Sequence, residues 1–254
     1  YKEGAGGKSY KQVSMQKDRS GSWVTTVNGN LTGTFYAFSV QIKGVWSSEV
    51  PDPYAKACGI NGKRAMVVDL STTNPDGWKT DKSPAYKTKT EAIIYELHVR
   101  DASISPSSGI KNKGKFLGLT ETGTKNANGA STGIDHLKEL GVTHIHLLPV
   151  FDFRSVDETN STHSYNWGYD PVNYNIPEGS YATNPYDGVT RIKEFKKLVQ
   201  TFHANRLKVV VDVVYNHTAL TEQSNFNQLV PGYYYRQTKE GKFSDATACG
   251  NETA

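Results

Sequence analysis

Residues 207–218 read LKVVVDVVYNHT, a run that is almost wholly apolar until Asp212 and turns polar at Tyr215, Asn216, His217 and Thr218. A strand with one wet face would alternate polar and apolar residues. Val209, Val210 and Val211 do not alternate, so both faces of this strand are expected to be covered. Two similar segments precede it: AIIYELHV from Ala92, ending in Arg100 and Asp101, and GVTHIHLLPV from Gly141. Between them lie amphipathic patterns. Ile134, Leu137 and Leu140 fall on one helix face, and Val189, Ile192, Phe195, Leu198, Val199 and Phe202 repeat at helical spacing over four turns. Covered strands alternating with helices predict a parallel sheet. Each strand runs into a polar cluster at its carboxyl end (ELHVRD, LLPVFDF, DVVYNHT), which is where parallel α/β architectures build their sites.

Upstream of Pro84 the pattern changes. GSWVTTV from Gly21 and GTFYAFSVQI from Gly33 read as strands joined by the turn-rich NGNLT, and AMVVDL reads as another. Short strands at close spacing predict an antiparallel sandwich. The segment STTNPDGWKTDKSP is a linker by composition. A complete (β/α)8 barrel takes ~250 residues, yet residues 91–254 hold three recognisable strand units. A small doubly wound domain fits the length, but its Gly-rich phosphate loop has no counterpart here. The expectation is therefore the first part of a barrel.

Composition narrows the function. The chain of 254 residues is 36% hydrophobic, enough for a core. Mean hydropathy is −0.58, and no stretch approaches the roughly 18 apolar residues of a membrane span, so no membrane partner is expected. No charged-then-apolar leader opens the sequence. The net charge of +4 is spread thinly, and Lys111, Lys113 and Lys115 read as a solvated loop, so no nucleic-acid partner is expected. Cys58 and Cys249 permit one disulfide and no metal-ligand spacing. Tyr is abundant, 15 residues against 9 Phe and 4 Trp. Its flat face and polar tip suit ligands that present both C–H patches and hydroxyls, as sugars do, although Tyr-rich β-proteins are also common.

Two groups of residues carry candidate chemistry. Asp212 lies within a Val run, where a carboxylate must be paired or hydrogen-bonded; it reads equally well as a structural acid. Asn216 and His217 follow at the strand tip, in reach of a ligand hydroxyl or of their own neighbours. SYNWGYDPVNY, from Ser164, packs Tyr165, Trp167, Tyr169 and Tyr174 into an expected loop. So aromatic a loop lines a groove or fills a barrel mouth, with packing filler as the competing reading. Gly168 allows a close turn, and Pro171 holds Asp170 extended.

HSYNWGYDPVNYNIPEGSYATNP and VVVDVVYNHT resemble the type I pullulanases, debranching members of glycoside hydrolase family 13, the α-amylase family. YNWGYDP is particular to the pullulanase branch, whereas DVVYNH is common to the wider family. PDPYAKACGINGKRAMVVDL is similar to the stretch before the pullulanase barrel, and GSWVTTVNGNLTGTFYAFSV to a starch-type carbohydrate-binding module. The resemblance implies a multi-domain chain. A partial all-β immunoglobulin-like sandwich and linker would span 1–84. The first three β/α units of a (β/α)8 TIM barrel would span 85–254, with 219–254 opening the loop after barrel strand three.

The resemblance implies hydrolysis of α-1,6-glucosidic branch linkages in pullulan, amylopectin or glycogen with retention. Tyr169 would stack on the glucose to be cleaved, and His217 would bond its hydroxymethyl group. Asp212 and Asn216 would brace the centre, with Asp212 paired to an Arg on the next strand, while Trp167, Asp170 and Tyr165 would shape the same subsite. None of these is a catalytic carboxylate. The family's nucleophile, acid/base and third acid lie at the ends of strands four, five and seven, and no FRFD-like segment occurs. The chain is thus expected to be an inactive fragment, cut at both ends, with a second polypeptide supplying the remaining barrel. Isoamylase-type or α-1,4 activity, and a non-catalytic glucan binder using Trp23 and Trp46, are the alternatives. No cofactor or metal is required; relatives sometimes carry calcium, and the VDET segment is too weak a signal for it. Asn30-Leu31-Thr32 and Asn160-Ser161-Thr162 fit a glycosylation pattern. Compartment stays open.

Overall fold

The computed structural model describes residues 1–86, 88–161 and 164–254, so Thr162 and His163, named in the motifs above, lie outside the described residues. Eleven strands are described. β1 (Gln16–Lys17), β2 (Trp23–Val24), β3 (Phe35–Tyr36), β4 (Gln41–Ile42), β5 (Val45–Trp46) and β6 (Ala65–Met66) are two-residue pieces. β7 (Ile94–Leu97), β8 (His144–Leu147), β9 (Phe151–Phe153), β10 (Pro171–Pro177) and β11 (Lys208–Val211) follow, with helices α1 (Gly133–Glu139), α2 (Gly188–Ala204) and α3 (Asn225–Leu229).

The predicted parallel sheet is present, in the order β11-β8-β7. Both pairings are parallel and in register, so Glu96, His146 and Val210 line up across it, as do Leu97, Leu147 and Val211. The backbone N–H of Asp212 extends the ladder by donating to the Leu147 carbonyl at 3.1 Å. β8, read from sequence as near-continuous apolar, alternates instead: Ile145 and Leu147 are fully buried, while His144 and His146 are half-buried on the other face. Ile145 and Leu147 join Ile134 and Leu137 of α1, Leu198 and Phe202 of α2, and Phe116, Leu119 and Leu207 in the main core. Burying each of these side chains contributes about 1.5–3 kcal/mol.

α2 bears out its reading, with Ile192, Leu198 and Phe202 buried. Asp187 caps it, accepting from the N–H groups of Val189 and Thr190, both at 3.1 Å. In α1 Leu140 is a correction. It follows the last helical residue and stands 49% exposed, because the chain turns away there into Gly141, whose φ is +70°.

The amino-terminal region corrects one further expectation. β2 pairs with β1, and β3 with β6, so NGNLT does not join β2 and β3 as a hairpin. β3 goes to β6 because Phe35 packs with Met66, Ala57 and Ile192. Of the three lysines read as a solvated loop Lys111 is exposed, but Lys113 Nζ donates to the Ile110 carbonyl at 2.5 Å and Lys115 Nζ to the Ser180 carbonyl at 2.7 Å. Cys58 is buried and Cys249 exposed, and both are free thiols, so the permitted disulfide does not form. No helix among the described residues is long and apolar enough to cross a membrane.

Residues 59–62 are fastened to the sheet region by Arg191 of α2. Its guanidinium is fully buried and grips Glu158 through two bonds of 2.9 and 2.6 Å, and the Gly59 carbonyl at 2.8 Å. Asn61 closes the junction, its side chain accepting from the Glu158 N–H at 2.8 Å.

Candidate functional site

At the carboxyl end of the parallel sheet three side chains form a polar row. His146 stands between Glu96 and Asp212, its Nδ1 3.8 Å from Glu96 Oε2 and its Nε2 3.7 Å from Asp212 Oδ2. The parallel register makes this row, and the HIHL alternation was the signal for His146. Asp212 is hydrogen-bonded, as a carboxylate in a Val run must be: the Tyr169 hydroxyl donates to Oδ2 at 2.7 Å. Burial, and then this bond to the Asp212 carboxylate, push the Tyr169 phenol well up.

Tyr169 arrives on the aromatic loop. That loop is shorter than the sequence implied: Pro171 begins β10, which pairs antiparallel with β9, so Tyr174 is a strand residue. The correction follows from Val172, Tyr174 and Ile176 alternating with Asn173, Asn175 and Pro177, a strand period hidden by the aromatic count. The remaining loop residues Tyr165, Asn166, Trp167, Tyr169 and Asp170 line an open depression of ≈ 420 Å³. Trp167 is 61% exposed, so it is not internal filler. Gly168 adopts φ +93°, and a Cβ there would sit 2.8 Å from both Pro149 Cβ and the Pro149 carbonyl oxygen. The turn demands glycine.

His217 is 7% exposed, packed against the Tyr169 backbone. Its Nε2 lies 2.6 Å from the Tyr169 carbonyl, which can only accept, so Nε2 donates; Nδ1 is buried without a partner. Tyr174 fixes the same turn by donating to the His217 carbonyl at 2.7 Å. Asp170 Oδ1 is likewise buried without a partner, while Oδ2 accepts from Ser155 at 3.3 Å. Burial pushes the Asp170 carboxyl above its usual range. The structure thus brings together Tyr165, Trp167, Tyr169, Asp170, Asp212 and His217. Asn216 stands apart: its side chain is exposed, and its carbonyl accepts from Thr253 N–H at 3.1 Å. Two residues missed by the sequence reading support the loop from below. His98 and Tyr181 are both buried, and the His98 Nε2 lies 2.9 Å from both the Asn166 carbonyl and the Tyr181 hydroxyl.

Asp152, Glu158 and Glu178 form a buried carboxylate group with oxygens within 4.8 Å of one another. Their donors argue against calcium, which takes 6–8 oxygen ligands. Arg191 already supplies the positive charge to Glu158 and lies 3.5 Å from Asp152. Glu178 accepts from the N–H groups of Ser180 and Phe153 at 2.8 and 3.1 Å. The residues do not fit the ion.

Exposed aromatic faces with polar tips, gathered in one depression, can hold a ligand with flat apolar patches and hydroxyl groups. Residues 105–242 match the model of the α-amylase catalytic domain. A pullulanase of Bacillus subtilis (strain 168) is 44% identical over 248 residues, covering 97% of this chain and 34% of that protein. The chloroplastic pullulanase 1 of Arabidopsis thaliana is 32% identical, covering 97% and 29%. Among solved structures, the pullulanase of Paenibacillus barengoltzii in complex with maltohexaose and α-cyclodextrin superposes with a TM-score of 0.97 at 50% identity, over 100% of this chain and 40% of that one. That of Bacillus acidopullulyticus gives 0.92 at 48%, over 98% and 30%. The chain spans about a third of the length of the curated relatives it matches. With the catalytic-domain match running through the aromatic loop and the strand tip, the chain belongs to the α-amylase family.

Proposed function

We propose that this chain carries the sugar-binding wall of an α-1,6-debranching glycoside hydrolase acting on pullulan, amylopectin or glycogen. The observation that carries the reading is the group of exposed aromatic side chains in the open depression, Tyr165, Trp167 and Tyr169, with the Tyr169 hydroxyl held by Asp212. A glucosyl ring offers an apolar C–H face to these aromatic rings and hydroxyls to the water around them. His217, with Nε2 on the Tyr169 carbonyl and Nδ1 buried, would act by holding Tyr169 in place rather than by touching the sugar. Asp212 would brace Tyr169 and His146; Trp167 and Tyr165 would bound the subsite. Asn216, with its side chain in solvent, would act through its backbone.

The domain reading accompanies this. Residues 1–84 would be part of an immunoglobulin-like β-module and linker, and 85–254 the first three barrel units, with 219–254 opening the loop after strand three. Retaining hydrolysis needs a nucleophile and an acid/base about 5 Å apart, and this reading assigns neither to the chain. A further polypeptide segment with the later strands would supply them. The solved pullulanase complexes of Paenibacillus barengoltzii with maltohexaose and with maltotetraose support an α-glucan as ligand. Pullulan tests the reading. The chain should be retarded in pullulan-containing native gels while releasing no sugar, and a polypeptide extended through the later strands should release maltotriose as its sole product. Release by the chain alone would overturn the division of labour, and any other product the α-1,6 assignment. Trp23 and Trp46, 62% and 64% exposed, favour the second reading of a non-catalytic glucan binder. It predicts retardation that survives loss of Tyr169.

A further inference from the structure

We propose that His98 is the positioning residue of the aromatic loop, setting where Tyr169 stands by holding the Asn166 carbonyl over the end of β7. The proposal rests on reading that loop as the glucan site, but its geometry is independent of any ligand.

His98 follows β7 directly and is 6% exposed. The Asp101 backbone N–H points at its Nδ1 from 3.3 Å, which assigns Nδ1 as the acceptor and places the proton of the neutral ring on Nε2. Nε2 lies 2.9 Å from both the Asn166 carbonyl and the Tyr181 hydroxyl, so its one N–H is shared between the loop and the Tyr181 oxygen beneath it. Burial, the main influence on the ring, favours its neutral form. The imidazole cannot drift: Tyr181 packs edge-on to it at 5.7 Å between ring centres, with Phe116 and Phe153 behind. Tyr165 covers its other side at 5.1 Å.

From Asn166 the constraint travels three residues. The Asn166 side chain donates to the Arg154 carbonyl at 2.9 Å and accepts from the Gly168 N–H at 2.7 Å, fixing the glycine turn that delivers Tyr169. The next residue, Asp170, is clamped by the Arg154 N–H at 3.1 Å. His98 thereby connects a rigid sheet strand to a segment whose own side chains are largely in solvent. Without the bond, the Asn166 carbonyl loses its donor above a buried aromatic floor.

Geometry separates this role from simple packing. Glutamine can carry its amide nitrogen to the Nε2 position, and asparagine only to that of Nδ1. His98→Gln should therefore keep the loop in place, whereas His98→Asn and His98→Ala should not. Amide hydrogen exchange of 164–170 reads the loop without sugar, and maltotetraose titration followed by Trp fluorescence reads it with sugar. We expect exchange in 164–170 to rise roughly tenfold in the Asn and Ala variants, with β8 amides unchanged, and near-wild-type exchange in His98→Gln. Maltotetraose affinity should fall in the same order. Unchanged loop exchange in His98→Ala, or no recovery in His98→Gln, overturns the proposal. If the wild-type chain fails to bind maltotetraose, the glucan reading falls, and the exchange pattern still decides the positioning role.

Discussion

Tyr169 shows how much of this site one side chain holds. Its ring is half-open, its hydroxyl donates to Asp212, and its carbonyl accepts from His217. Tyr169→Phe removes one charge-assisted bond and keeps the ring, so maltotetraose affinity should fall only several-fold. Tyr169→Ala removes the stacking face as well and should weaken binding by tenfold or more; calorimetry would separate the two. Gly168→Ala should be as damaging, because the added methyl meets Pro149 and the backbone stands at positive φ. At this scale the sequence was partly legible. The residues YNWGYD and NH were visible as polar and aromatic groups ending strands, yet their partners were not. Asp212 to Tyr169 and His98 to Asn166 span 43 and 68 residues, separations that leave no periodic trace.

The elements carry the residues, and here α2 and β8 matter most. α2 was readable because its apolar stripe repeats over four turns, and because Asp187 sits at its start as a cap. Asp187→Ala should cost about 1 kcal/mol and lower the melting temperature by about 2–4 °C. Thermal denaturation followed by circular dichroism checks this, and an unchanged midpoint would mean that the two 3.1 Å cap bonds contribute nothing. β8 was placed correctly but misread in its faces. Its alternation comes from its position, with Ile145 and Leu147 against the helices and His146 in the polar row. The two-residue pieces before residue 84 were overread as longer strands, since Val, Thr, Tyr and Phe favour strand conformations even where few partners pair.

Across the whole molecule, the Arg191 junction ties residues 59–62 to the sheet region and makes stability depend on pH. Burial, and then the neighbouring Glu158 carboxylate, push Asp152 up to about 7. Between its ordinary value of 3.8 and that value, the folded chain holds a proton that the unfolded chain has released. This contribution to stability therefore falls as pH rises through that window and is flat above it. His98, held below its ordinary 6.5 by burial, acts oppositely, contributing fully above that value and less as pH falls. Asp152→Asn isolates the first effect: its midpoint should vary less than wild type between pH 4 and about pH 7. A parallel pair of curves would contradict the assignment. The junction was invisible in sequence because its acids come from three separate segments, and VDET showed only Glu158.

The central claim is that the aromatic loop and the tip of β11 together bind an α-glucan. A crystal structure of this chain with maltotetraose tests it most directly. The account predicts a glucosyl ring stacked on Tyr169, in the depression that Tyr165 and Trp167 bound. Sugar ordered only against Trp23 or Trp46, with the Tyr169 face empty, would contradict it.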